Sequence, residues 1–292
     1  MPVRIELVVD AHATLGEGPF WDVARHVLYW VDIFEYKLHI YAPGTNADRA
    51  IQLDQYVGAV VPRQRGGVML ALHHGFAGLD LETEKITILA DPEAQRPQIR
   101  FNDGKCDPAG RFWAGTMALD LAPGMGRLYC LDTDHVVRCM LDNLSISNGI
   151  NWSLDHKVMY FIDTPTRAIA AFDYDLATGS LANRREVIQV PEEMGLPDGM
   201  TIDSEGMLWV GLWGEALVGR WDPSTGRLLQ TIELPTRHVT ACAFGGPNLD
   251  HLYITTARLG LDDRALAGQP HAGGLFRAIP GVRGVALPGF AG

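Results

Sequence analysis

Short alternations of apolar and polar residues, rather than helical stripes, run through this chain. Six stretches share one pattern: HVLYWVDI (26–33), GGVMLALH (66–73), GRFWAGTM (110–117), KVMYFIDT (157–164), GMLWVGLW (206–213) and HLYITTAR (251–258). Each is rich in β-branched and aromatic residues and follows a turn of Asp, Gly or Asn. No 3.6-residue period spans them, so they read as strands. Anchored on Tyr29, Met69, Trp113, Tyr160, Trp209 and Tyr253, they recur every 40 to 50 residues or so, a period shared by propeller blades and helical arrays. Strand chemistry selects the blades.

After each run comes another strand-like segment with a turn that itself recurs: IYAPGTNA, LDLETEKI, LYCLDTDH, FDYDLATGS and RWDPSTGRL. Asp followed by Thr-Gly between apolar alternations signals a hairpin. Six repeats of about four strands account for nearly the whole length. The expectation is an all-β, six-bladed β-propeller with four-stranded blades, one domain over residues 1–292, with little helix beyond a stretch around Leu261–Leu266. The first strand, VRIELVVD (3–10), has no hairpin partner of its own, whereas GGLFRAIPGVRGVAL (273–287) offers strands for it. The two termini are therefore expected to close the last blade, hiding edges that invite aggregation. The paired GH and WD signatures of WD40 repeats are not repeated here, which argues against a protein scaffold of that type.

Composition agrees with a repeat architecture. At 292 residues and 47% hydrophobic, the chain is too long for one ordinary core and too apolar for disorder. Its formal charge is −11 and no Lys/Arg run exceeds two residues, which disfavours nucleic acid and anionic membrane as partners. Apolar runs fall far short of the roughly 20 residues that span a bilayer. Arg4, Glu6 and Asp10 interrupt any signal-peptide core near the N-terminus, so a cytoplasmic location is expected. Cys106, Cys130, Cys139 and Cys242 show no CxxC spacing and read as buried free thiols. A monomer or weak oligomer is expected.

The innermost strands of a propeller all run the same way, so equivalent positions form a ring around the axis. Eleven or twelve residues before each anchor stand Glu17, Val57, Asn102, Asn148, Asp198 and Ala241, and the four with oxygen-bearing side chains, Glu17, Asn102, Asn148 and Asp198, each sit next to Gly or one residue from it. N-G and D-G are turn signals wherever they occur. Carboxylates and amides recurring at one repeat position, however, would converge at one mouth of the channel. Like charges placed together repel unless a cation lies between them, and oxygen donors suit Ca²⁺, Mg²⁺ or Mn²⁺. Glu17, Asn148 and Asp198 would leave coordination positions open, as a catalytic metal requires. His73 and His74, as neighbours on a strand, would point to opposite faces and share no metal. His238 lies near the sixth repeat's mouth and is a candidate substrate contact. No G-x-S-x-G, GxGxxG or GxxxxGK[ST] is present, which leaves serine-hydrolase and nucleotide chemistry without a signal.

At these motifs the sequence resembles the SMP-30/gluconolactonase/regucalcin family of six-bladed lactonases, over essentially the whole chain. The resemblance rests on LGEGPFW, RFNDGKCDPAGRFWAGTM, ISNGINWSLDHKVMYFID, AFDYDLATG, LPDGMTIDSEGMLWV, CAFGGPNLDHLYITTAR and HAGGLFRA, in that order. It implies one divalent metal ion (Ca²⁺, Zn²⁺, Mn²⁺, Mg²⁺ or Fe²⁺) held by Glu17, Asn148 and Asp198. It implies substrate contacts at Arg100, Asn102 and Asp120, the last a Glu in the animal proteins. The activity implied is hydrolysis of a sugar (aldono-) lactone, with Asp198 both metal ligand and general base. Two alternatives accompany it: a Ca²⁺-binding regulator without turnover, and a phosphotriesterase-like hydrolase.

Overall fold

The computed structural model describes residues 3–292. Its strands form six four-stranded antiparallel sheets, the blades of a β-propeller. Blade 1 contains β2 (Gly16–Asp22), β3 (Val27–Asp32), β4 (Lys37–Ala42) and β5 (Ala47–Gln52), running outward in that order. The innermost strands of the next five blades are β6 (Val57–Pro62), β10 (Ile99–Cys106), β14 (Ser147–Trp152), β18 (Leu196–Ile202) and β22 (Val239–Gly245). Each innermost strand touches its neighbour in the next blade, and β22 returns to β2, so the ring is closed. The six runs read from the sequence are the second strands of their blades.

The termini close the sixth blade as expected. β1 (Ile5–Val9) is its outermost strand and pairs antiparallel with β24 (Leu275–Ala278), beside β23 (His251–Thr256). Only the first part of 273–287 becomes strand. Beyond Ala278 the chain crosses the end of the channel away from the site: Gly284 pairs with Asp203, Phe290 pairs with Arg63 and buries completely between blades 2 and 3, and the Ala291 amide reaches the Gly110 carbonyl. Its Gly and Pro residues disfavour the ladder that further strands would need. The one α-helix among the described residues is Asp263–Gly268, capped by Asp262.

The core lies at the joints between blades. Six apolar clusters sit there, one per joint, and together they account for the large buried aromatics such as Trp30, Trp113 and Trp209. Each blade is thus buried on both faces, which explains why its inner strands read as continuous apolar runs. Cys106, Cys130 and Cys242 are buried free thiols, while Cys139 is exposed on the outermost strand of blade 3. His73 and His74 stack on one another, ring centroids 4.5 Å apart, instead of pointing to opposite faces. They lie in the turn after strand Val68–Leu72, where strand alternation no longer applies.

Candidate active site

One feature shared by all six innermost strands aims the site. Each carries a register break that inserts one extra residue opposite its hairpin partner, at the repeat position singled out in the sequence. The breaks fall between Glu17 and Phe20, Val57 and Ala59, Phe101 and Gly104, Ser147 and Ile150, Pro197 and Met200, and Val239 and Cys242. Such bulges bend a strand and re-aim its side chains. The glycines beside them are not turn residues. A Cβ on Gly149 would stand 2.8 Å from the Asp198 carbonyl oxygen, and one on Gly199 would stand 2.4 Å from the Ala241 Cβ. They let successive inner strands approach closely.

Two aspartates hold the segments that lead into this ring. Asp32 accepts hydrogen bonds from the Thr14 and Leu15 amides at 2.8 and 3.0 Å, and Asp163 accepts from the Ile146 amide at 2.8 Å. Each thereby fixes the backbone two residues ahead of a site residue, Glu17 or Asn148. Neither was singled out from the sequence, although both end their runs at the same phase (YWVD and YFID).

Glu17, Arg100, Asn102, Asn148, Thr164 and Asp198 together line one cavity of about 280 Å³ at the channel mouth. Its walls are largely apolar, with Phe34, Leu119, Leu121, Trp213 and Leu259 among them. All six polar residues are buried. The structure therefore brings together five of the six site residues read from the sequence. The sixth, Asp120, is exposed in the loop after β11 (Phe112–Ala118), where its carboxylate accepts from the Ala122 amide at 3.1 Å. Leu119 and Leu121 on either side of it face the cavity instead. His238 is buried and lies outside the cavity lining; its ring stacks on Trp213 with centroids 4.0 Å apart, supporting that wall from behind. A larger cleft of about 780 Å³ opens between the outer strands of blades 1 and 2, but Arg25 and Arg49 there are paired with Asp22 and Glu84.

A directional chain of hydrogen bonds orders the cavity floor. Arg100 donates to the Asn102 side-chain oxygen (2.8 Å), Asn102 donates to the Asn148 side-chain oxygen (2.9 Å), and Asn148 donates to the Thr164 hydroxyl (2.8 Å). Thr164 gives its single proton to the Pro197 carbonyl at 2.9 Å. Its oxygen can therefore only accept from Asn148, which fixes the Asn148 amide nitrogen on that side and turns its oxygen the other way. Thr164 was missed in the sequence because it lies sixteen residues beyond Asn148, in the turn that follows β15 (Val158–Asp163).

Electrostatically the site is unbalanced. The Glu17 and Asp198 carboxyls are in hydrogen-bonding contact, and Asp103 adds a third buried acid nearby. Burial, then repulsion from Asp103, pushes Glu17 up to about 8, with the Gly18 amide and Arg100 opposing the rise. Burial and the neighbouring Glu17 and Asp103 charges push Asp198 well above the ordinary carboxylate range. Burial draws the Arg100 guanidinium down to about 10 against the pull of both acids. Among the described residues neither Glu17 nor Asp198 forms a salt bridge. Two buried carboxylates and one amide oxygen, with no ion-pairing partner, form a donor set suited to a hard divalent cation, which would offset the burial and the acid–acid repulsion that now raise both groups.

Residues 15–258 match the family model described as SMP-30/Gluconolactonase/LRE-like region. The chain belongs to this family. Regucalcin of Danio rerio is 43% identical over 286 residues, covering 97% of each chain. Among solved structures, a luciferin-regenerating enzyme superposes with a TM-score of 0.94 at 35% identity, covering 99% of both chains. A calcium-binding protein, regucalcin, from Agrobacterium tumefaciens superposes with a TM-score of 0.95 at 30% identity, covering 99% of this chain and 98% of that one. These family relatives support a lactonase or regucalcin-like role.

Proposed function

We propose that the protein hydrolyses a sugar (aldono-) lactone to its open-chain acid, with one divalent metal ion at Glu17, Asn148 and Asp198. The observation that carries this reading is the meeting of two buried acids that have no salt-bridge partner with an oriented amide oxygen, in a cavity of about 280 Å³. When bound, the cation would supply electrophilic polarisation of the lactone carbonyl. Asp198 takes a proton from water as the water oxygen bonds to the carbonyl carbon. The ring C–O bond breaks, and the proton passes to the departing ring oxygen. Arg100 and Asn102 orient the substrate, and the burial of the floor excludes bulk water from the charges that develop there. Ionisation of the product acid releases one proton per turnover.

Proton release therefore tests the proposal. Metal-stripped protein is given pentono- and hexonolactones with each divalent ion added back, beside the Asp198→Ala variant and above the spontaneous rate. Metal-dependent release that disappears in the variant is the expected result. Calcium binding with no release from any lactone would favour the second reading, a calcium-binding role without turnover, to which the description of the Agrobacterium relative points.

A further inference from the structure

The polar residues that line the cavity are all buried, and most of their protons are already committed. Both Asn102 amide protons go to Ser147 and Asn148, the Thr164 hydroxyl goes to Pro197, and Arg100 Nη1 serves Phe101 and Asn102. The donors left open, on Arg100 Nη2 and Nε and on Asn148, belong to buried residues, so none is offered to hydroxyl groups at the exposed outer end of a polyol. That end of the cavity is instead walled by leucines. Leu119, Leu121 and Leu259 line it while remaining 40%, 60% and 37% exposed. Phe34 and Trp213 suit the C–H face of any sugar ring and do not discriminate. The leucines do, because a hydroxyl set against them gives up water on the side they cover and gains no partner there.

Two local details sharpen the point. Asp120, the one acid on the rim loop that could have met an outer hydroxyl, turns its carboxylate back to the Ala122 amide. Leu121 holds a left-handed backbone, φ 63°, where asparagine or glycine sits with less strain. An apolar side chain is thus presented at the mouth in a conformation that leucine disfavours.

We propose that the substrate is a deoxy-sugar lactone, whose exocyclic end carries a methyl group in place of hydroxymethyl and rests against Leu119 and Leu121. This rests on the lactonase reading above. The experiment uses matched pairs differing only in that oxygen: L-fucono- against L-galactono-1,4-lactone, and L-rhamnono- against L-mannono-1,4-lactone. With metal-loaded protein, kcat/KM favours the deoxy member of the better-used pair by about tenfold or more. Equal use of both members in each pair, or preference for the hydroxymethyl member, overturns the inference and leaves the lactonase reading standing. No turnover of any lactone with any cation removes both. Leu121→Asn, which suits the left-handed backbone, keeps or raises the Tm and brings the ratio to within about threefold of unity. An unchanged ratio in that folded variant would overturn the role given to Leu121.

Discussion

Two sets of buried acids stand at opposite ends of the same innermost strands, and they are treated in opposite ways. At the far end, Asp107 accepts from Arg111 (2.6 Å), Trp113 (2.8 Å) and Tyr174 (2.7 Å), and Asp203 accepts from Trp209 (2.9 Å) and Arg220 (2.8 Å). Each closes the turn to the second strand and ties it to an indole. At the mouth, Glu17 and Asp198 are also buried but face one another. Buried charge is normally paired. A satisfied acid serves the fold, whereas an acid left to repel its neighbour is kept for something the fold itself does not supply.

The sharpest way to break this comparison is to remove one acid from each end. Asp198→Ala should lower lactone hydrolysis about 10²–10⁴-fold, the span of a lost acid–base group, while the metal-free Tm stays level or rises. Asp107→Ala should cost about 3–5 kcal/mol, because Arg111 is left buried without its partner, and the folded fraction should keep its activity. Melts and initial rates on both variants decide it; loss of Tm in Asp198→Ala would show that the mouth is structural.

A smaller effect concerns the amide. Thr164→Val removes the acceptor that fixes Asn148 and should weaken metal affinity about 10–100-fold, as outer-shell losses do. Thr164→Ser should restore it. Calorimetric titration of the metal alone distinguishes the two, and equal affinity in Val and Ser variants would remove Thr164 from the site.

The last test concerns pH dependence. The unfolded chain loses the Glu17 proton near 4.5, whereas the metal-free fold holds it to about 8. The folded state therefore binds more protons across that window, and stability present at low pH is lost as pH rises towards 8. Melts of chelator-treated protein should show Tm falling between pH 5 and 8, with a shallower fall in Glu17→Gln. Added divalent metal should flatten the slope, since the cation favours the ionised form. A slope that metal leaves untouched would separate Glu17 from cation binding.

Much of this architecture was legible because propeller physics is periodic. Strand runs with aromatic anchors recur at one spacing, so six blades, the closure by β1 and β24, and the ring of Glu17, Asn102, Asn148 and Asp198 could all be placed by counting. The two glycine dipeptides were harder, because N-G and D-G carry the same letters whether they make a turn or admit a neighbouring strand. The stacked His73 and His74 show the matching error: strand alternation was applied one residue past the strand's end. Asp120 was marked by resemblance, and the loop's own hydrogen bond then turned its side chain away from the cavity.

The sequence by itself determined the repeat, the closed ring and which residues share a position in it, since those follow from hydrophobic period and chain order. Tertiary structure alone decided the environment of each residue. The contact between Glu17 and Asp198 and the leucine mouth arise where separate blades meet, and the one-residue bulges and the orientation of Asn148 by Thr164 arise between strands folded onto one another within a blade. Burial and direction are properties of neighbours brought from far along the chain, and no local pattern encodes them.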